Sequence, residues 1–72
     1  MNGNLLKSKR ILMGITQKNL AKKLSISEKT YNQKEQGKNH FKPEEILNLS
    51  KELSLSSNDI NAIFFDSNLP NE

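Results

Sequence analysis

Residues 16–37 read TQKNLAKKLSISEKTYNQKEQG, and this stretch decides the fold. Thr16 and Ser27 are residue types that favour the N-cap of a helix, because their side-chain oxygens accept a hydrogen bond from a free backbone N–H. The segment after the first cap carries its apolar residues on one helical face, namely Leu20, Ala21 and Leu24. The stretch therefore predicts two short helices, over 17–24 and 28–36, joined by a turn of about three residues.

Helices as short as these do not persist in isolation, so the two must pack on each other. Ala21 permits a close approach at a steep angle, and Ile26 fills the turn between the helices. This arrangement is a helix-turn-helix, a motif whose second helix lies in the major groove in DNA-binding proteins.

The rest of the chain predicts three more helices. The first helix runs from about Leu5 to Met13 and ends at Gly14, and Gly37 ends the third in the same way. Pro43 fits the first position of the fourth helix, because the N–H that proline lacks has no partner there. The apolar stripe of this helix comprises Ile46, Leu49 and Leu53.

The fifth helix is predicted to begin after Ser56, with Asp59 completing a capping box, and to run through about Phe64. Its inner face comprises Ile60, Ile63 and Phe64. No sustained alternation of apolar and polar residues favours a strand. The sequence therefore predicts an all-α fold, a compact five-helix domain over 1–65, followed by a frayed tail over 66–72.

The charge of the chain is unevenly distributed. Residues 1–42 hold ten lysines and arginines against two acidic residues, whereas residues 43–72 hold one lysine against six acidic residues. A basic half suits a polyanionic partner such as nucleic acid, and the acidic half would then point away from it. The alternative is an ordinary solvated surface, which is the better interpretation of isolated lysines such as Lys22, Lys23 and Lys51.

Several classes of protein are disfavoured by the composition. The chain has no cysteine, which leaves no disulfide and no thiolate metal site. No apolar run approaches the ~20 residues needed to cross a bilayer, and the first residues have no stretch typical of a signal peptide, so we expect a cytoplasmic protein. The single histidine, His40, has no carboxylate cluster beside it, so we expect neither an enzyme nor a bound metal, cofactor or small-molecule ligand.

Six short motifs lie in register over roughly residues 5–64. They are Lys7-Ser-Lys-Arg10, Gly14-Ile-Thr-Gln17, Leu20-Ala21, Leu24-Ser-Ile-Ser27, Glu35-Gln-Gly-Lys38 and Leu49-Ser-Lys-Glu-Leu53. Together they resemble the lambda-repressor-like family, also called the Cro/repressor or XRE type. The resemblance implies a five-helix fold, in agreement with the helices predicted above, and binding to double-stranded DNA. It makes residues 28–36 the recognition helix.

A helical wheel divides this recognition helix into two sides. Tyr31 faces inward, and the outward residues are Glu28, Lys29, Asn32, Gln33 and Gln36. These types suit the major groove, because lysine donates to guanine, an amide pairs with adenine and glutamate accepts from cytosine. Four of them are therefore expected to read bases, namely Glu28, Lys29, Asn32 and Gln33. The alternative is a polar face turned to solvent.

Four residues are expected at phosphates by the same resemblance, namely Gln17, Arg10, Gln36 and Lys38. Gln17 starts the second helix, where free N–H groups and the helix dipole already favour an anion. Arg10 is also expected to form an ion pair with Glu35, which would join the first helix to the end of the third. Removing one partner of such a pair is expected to be costly, even where the pair itself adds little stability.

Two residues depart from the family pattern. Ser25 stands where the family usually has glycine, so a residue with a Cβ is expected at positive φ, with some loss of stability. Lys42 stands at the N-cap of the fourth helix, where serine or threonine is expected. Neither residue lies on the expected DNA-contacting surface, so both bear on stability more than on function.

One recognition helix reads only a few base pairs, so two copies on a palindromic operator are expected. With no second domain expected for sensing or strong association, the chain fits a small Cro-like repressor that forms a weak homodimer mainly on DNA. The resemblance places the dimer contact at Ser57, Asn58 and Asn61, and Phe65, which lies off the inner stripe, is the expected apolar contributor. The alternative is a protein-interaction module on the same fold, such as an antitoxin-like component or a repressor antagonist.

Overall fold

The computed structural model describes residues 1–65. Their helices are α1 (Gly3–Leu12), α2 (Gln17–Lys23), α3 (Glu28–Glu35), α4 (Pro43–Glu52) and α5 (Ser57–Phe64), with no strand in this range. The all-α, five-helix prediction is confirmed, and the predicted boundaries lie within two residues of the observed ones. The predicted frayed tail, residues 66–72, lies outside the described residues. No helix in the described part of the chain is long and apolar enough to cross a membrane.

Side-chain caps explain where the helices begin. Thr16, Ser27 and Ser56 each accept a hydrogen bond from the backbone N–H three residues ahead, at 3.0–3.1 Å. Asn2 does the same for α1, because its Oδ1 accepts from the backbone N–H of Leu5 at 3.1 Å. This cap starts α1 two residues earlier than the apolar pattern predicts.

The two departures from the family pattern have visible structural counterparts. Ser25 has φ 59°, in the left-handed region that glycine adopts without strain. Lys42 provides no side-chain cap for α4. Glu45 Oε1 instead accepts from the backbone N–H of Lys42 at 2.8 Å, so the start of α4 is fixed from inside the helix.

The core comprises one buried set of side chains drawn from all five helices and the segment before α4. Its members are Leu6, Leu20, Ala21, Leu24, Tyr31, Phe41, Leu49, Leu53 and Ile63. Phe41 connects the aromatic residues, since its ring centroid lies 5.9 Å from that of Tyr31 and 5.8 Å from that of Phe64. Of the predicted stripes, Leu49, Leu53 and Ile63 are buried, and Ile46, Ile60 and Phe64 are half-buried.

The beginning of α1 lies against the end of α3. Gly3 is so close that a Cβ there would overlap the backbone carbonyl oxygen of Glu35. The backbone N–H of Asn2 donates to the carbonyl oxygen of Ile63 in α5 at 2.7 Å. The first residues of the chain thus connect the end of the helix-turn-helix to the last helix.

Candidate nucleic-acid interface

The recognition helix α3 has one buried and one accessible side. Its buried residues are Tyr31, Lys34 and Glu35. On the other side, Glu28, Lys29 and Gln36 are exposed, and Asn32 and Gln33 are half-buried. The structure therefore brings the four expected base-reading residues and Gln36 to the accessible side of α3.

Arg10 and Glu35 form an ion pair that joins α1 to the end of α3. Arg10 Nε donates to Glu35 Oε2 at 2.9 Å, and Nη2 donates to Oε1 at 3.3 Å. The third guanidinium nitrogen, Nη1, donates to the carbonyl oxygen of Ile15 at 2.9 Å, in the turn between α1 and α2. Arg10 is only 7% exposed, and all three nitrogens of its guanidinium donate to protein acceptors. The predicted phosphate contact would therefore be limited to one edge of the guanidinium.

The Glu35 carboxylate is held in its charged form by its neighbours. Burial by itself would raise the pKa of Glu35, but hydrogen bonds from Arg10, Gln17 and Tyr31 outweigh it and hold the pKa below its ordinary value. Tyr31 responds in the opposite sense. Burial, followed by its hydrogen bond to Glu35 at 2.8 Å, strongly raises the pKa of its phenol. At neutral pH the network therefore contains an ionised carboxylate and a neutral phenol that donates to it.

Gln17 completes the network from the first turn of α2. Its Nε2 donates to Glu35 Oε1 at 2.7 Å and to Asn32 Oδ1 at 3.1 Å. The side-chain amide has two protons, and both are directed at protein acceptors. The predicted phosphate contact of Gln17 stays a prediction, and in this geometry the side-chain amide has no proton left for it.

A second buried ion pair, Lys34–Glu45, was missed by the sequence reasoning. Lys34 Nζ lies 2.6 Å from Glu45 Oε1 and 5.9 Å from the centroid of the Phe41 ring. Burial alone would raise the pKa of Glu45, but hydrogen bonds from the Lys34 side chain and the Lys42 backbone hold it below its ordinary value. Helical spacing could have revealed this lysine, because Lys34 lies three residues after the inward-facing Tyr31.

The end of α3 is closed by the segment that follows it. The backbone N–H of Lys38 donates to the carbonyl oxygen of Gln33 at 2.9 Å, and Gly37 adopts φ 85°, as expected of a helix-ending glycine. The Lys38 side chain is exposed, at the place where a phosphate contact is predicted. Asn39, which the sequence reasoning did not single out, donates through Nδ2 to Gln33 Oε1 at 3.0 Å.

A polar depression lies beside the contact between the start of α1 and the end of α3. The polar residues that line it include Asn2, Asn4, Lys7, Gln17, Asn32 and Gln36. Lys7 and Asn4 are exposed, and the sequence reasoning assigned neither to the DNA-contacting surface. They lie in the first two turns of α1, so the depression places donor groups from three helices beside one another.

The residues expected to form the dimer contact lie on the outer side of α5. Ser57, Asn58 and Asn61 are exposed, and Phe65, directly after the helix, is 59% exposed. The inner side of α5 faces α1, where Lys9 Nζ lies 3.2 Å from Asp59 Oδ1. The expected contact is therefore an accessible polar surface with one large apolar side chain at its edge.

No group of three or more His, Cys, Asp or Glu side chains among residues 1–65 is arranged to hold a metal ion.

Comparison with known protein families identifies the family of this domain. A family model described as helix-turn-helix matches residues 6–60. Comparison with curated proteins and with solved structures gave no match. With most of its length matched and with α2 and α3 in the helix-turn-helix arrangement, the chain belongs to the lambda-repressor-like (Cro/repressor, XRE-type) family of helix-turn-helix DNA-binding proteins.

Proposed function

We propose that this protein is a small phage or bacterial transcription regulator of the Cro type, which binds a two-fold operator with α3 in the major groove. The observation that carries the proposal is the contrast between the two sides of α3. Its buried side is fixed by two ion pairs, Arg10–Glu35 and Lys34–Glu45. Its other side presents polar groups without a large apolar residue. A rigid helix with a free polar face suits base recognition.

The base-reading residues of the proposal are Glu28, Lys29, Asn32 and Gln33. Lys29 would donate to guanine, and Glu28 would accept from the amino group of cytosine. Phosphate contacts would come from Lys38 and Gln36 at the end of α3, with a smaller contribution from Arg10. At Gln17 the phosphate would be contacted by the backbone N–H groups at the start of α2, because the side-chain amide donates to protein acceptors. A regulator of this kind acts where the DNA is, in the bacterial cytoplasm and at the nucleoid.

The test of the proposal is a titration against random-sequence duplex at low salt, followed by selection of bound sequences from a randomised pool. A basic DNA-binding domain should bind random duplex weakly and in a strongly salt-dependent manner, and the pool should yield a two-fold sequence. A protein-interaction module on the same fold would bind neither. Failure to bind random duplex at low salt would therefore reject the proposal in favour of that alternative.

Gln33→Ala should lower affinity for the selected site by about 1–3 kcal/mol and relax the preference at one base position, because it removes a base contact. The measurement is a titration on the selected site, on a single-base variant of it and on random duplex. Asn48→Ala is the matched control, since Asn48 is an exposed amide on α4. An equal loss on selected and random DNA would remove Gln33 from the base-reading residues.

Lys38→Ala should weaken binding to all duplexes by a similar factor and reduce the slope of log affinity against log salt concentration by about 0.9, the value for one phosphate contact. Lys51→Ala is the control, because Lys51 is an exposed lysine in the last turn of α4 and is not among the proposed contacts. The slope is measured over at least four salt concentrations for each protein. An unchanged slope for the Lys38 variant would contradict the assigned contact.

A further inference from the structure

The Glu35 carboxylate decides how the amide of Gln17 is turned. An ionised carboxylate can only accept hydrogen bonds, and Glu35 is kept ionised by Arg10, whose guanidinium binds both of its oxygens. The side-chain atom of Gln17 at 2.7 Å from Glu35 Oε1 must therefore be the nitrogen Nε2. The orientation of this amide follows from the chemistry of its partner.

Asn32 is oriented by the next step of the same network. The second proton of Gln17 Nε2 is directed at the side chain of Asn32, at 3.1 Å, so the atom of Asn32 that faces it must be the oxygen Oδ1. Gln36 Nε2 lies 3.4 Å from the same oxygen. The hydrogen bond from Gln17 thus turns Oδ1 toward the protein, and the group left for a ligand is the Nδ2 amine with its protons.

We propose that the buried Arg10–Glu35 pair, acting through Gln17, makes Asn32 a donor-only contact to DNA. Its Nδ2 would take a hydrogen-bond acceptor, either a base edge (purine N7, guanine O6 or thymine O4) or a phosphate oxygen. The paired contact with adenine expected for an asparagine needs Oδ1 to accept from the adenine amine, and it would compete with the hydrogen bond that Oδ1 accepts from Gln17. The inference rests on the proposed function and specifies the chemistry of one contact in it. Glu35 and Gln17 are positioning residues in this scheme.

Gln33 lies on the same side of α3 but is not oriented in this way. Its Oε1 accepts from Asn39 Nδ2 at 3.0 Å, and both partners are neutral amides. Turning both amides over would restore a hydrogen bond of the same kind, so no charged group selects one orientation. The donor-only assignment is therefore confined to Asn32.

Asn32→Asp is the variant that tests the assignment. It keeps an oxygen in the position that accepts from Gln17 and replaces the outward amine with an oxygen, which cannot donate. Asn48→Asp is the matched control, because it makes the same change at an exposed asparagine on α4, outside the proposed DNA-contacting residues. The thermal melting of both variants is compared with that of the parent before DNA is added. We expect Asn32→Asp to lose at least about tenfold more affinity for the selected site than the control loses.

The pattern of the loss distinguishes the two sources of the acceptor. If the acceptor is a base edge, the preference at one position should move toward cytosine, whose amine can donate to the new oxygen. If it is a phosphate, the loss should be the same on all duplexes, and one neutral methylphosphonate in place of that phosphate should abolish the difference from the parent. A loss on every duplex no larger than that of Asn48→Asp would overturn the inference.

Gln17→Ala tests the positioning role through base preference. Without the Gln17 amide, Oδ1 of Asn32 regains a free lone pair. If the acceptor is a base edge, adenine should therefore become acceptable at the position that Asn32 reads. If the acceptor is a phosphate, the affinity of the Gln17 variant should fall, and the methylphosphonate should still weaken its binding. The donor-only assignment would be overturned if the parent protein already pairs with adenine through Asn32. Such pairing would appear as a loss of affinity when that adenine is replaced by the unsubstituted base purine, which lacks the amino group. Absence of binding to any duplex would reject the proposed function and this inference together, whereas binding with an unaltered pattern rejects the inference alone.

Discussion

Glu35→Ala is expected to lower the free energy of unfolding by about 3–5 kcal/mol, the range for removing one partner of a buried ion pair. The substitution leaves the Arg10 guanidinium buried without its counter-charge. It also removes the acceptor for Tyr31 and for Gln17. Unfolding by urea, followed through helical circular dichroism, measures the change. Glu44→Ala is the control, because Glu44 is an exposed carboxylate on α4.

A double-mutant cycle with Arg10→Ala checks that the loss comes from the pair. Contacting residues couple by about 0.5–3 kcal/mol, so the double variant should lose less stability than the two single variants together. A small domain has only about 5 kcal/mol of stability to lose, so Tyr31→Phe supplies a milder second variant that removes only the phenol oxygen. Strict additivity of Arg10→Ala and Glu35→Ala would contradict the coupling that the geometry implies.

The fold was predictable because its signals are local. Thr16, Ser27 and Ser56 are caps that can be identified without knowing the tertiary structure, and each is followed at the right distance by helical residues. Pro43 at the start of α4 and the helix-ending Gly14 and Gly37 are local signals as well. The one cap that was overlooked, Asn2, is also local, and the start of α1 was misplaced only because the apolar pattern begins later.

The network behind α3 was only partly predictable, because it depends on contacts between distant residues. The position of Arg10 relative to Glu35 came from family resemblance, and the structure brings the two side chains together. The same resemblance directs the Gln17 side chain at a phosphate, whereas the structure directs it at Glu35 and Asn32. The direction of an amide is set by the partner it meets, and no spacing along the chain specifies that partner.

The Lys34–Glu45 pair illustrates a different limit of sequence reasoning. Charged side chains are seldom buried, so the sequence places Lys34 and Glu45 only among the surface charges of the basic and acidic halves of the chain. Both side chains are nevertheless less than 10% exposed, because each neutralises the other across the α3–α4 junction. Composition alone favours the solvated interpretation, and only the inward position of Lys34 on the helical wheel argues against it.

A duplex carrying two half-sites is expected to bind at least about a hundredfold more tightly than a duplex carrying one, because a first copy held on the duplex raises the effective concentration of the protein surface that the second copy contacts. The half-sites should lie one helical turn apart, roughly 34–36 Å between recognition helices. The surface available for the protein contact is the outer side of α5, which is polar apart from Phe65. The area of this surface is smaller than a stable protein–protein interface needs. The free protein should therefore be monomeric when dilute. Titration of both duplexes and sedimentation of the free protein measure the two quantities.

Phe65→Ser should remove most of this cooperativity while leaving affinity for the single half-site unchanged, because it alters only the proposed contact between copies. Leu47→Ser is the matched control, since Leu47 is 67% exposed on α4 and lies outside that contact. Insertion of five base pairs between the half-sites should have a similar effect to Phe65→Ser, because it rotates the two copies to opposite sides of the duplex. Equal affinity of the parent protein for one and two half-sites would refute cooperative binding, and a tight dimer at nanomolar concentration would refute assembly on the DNA.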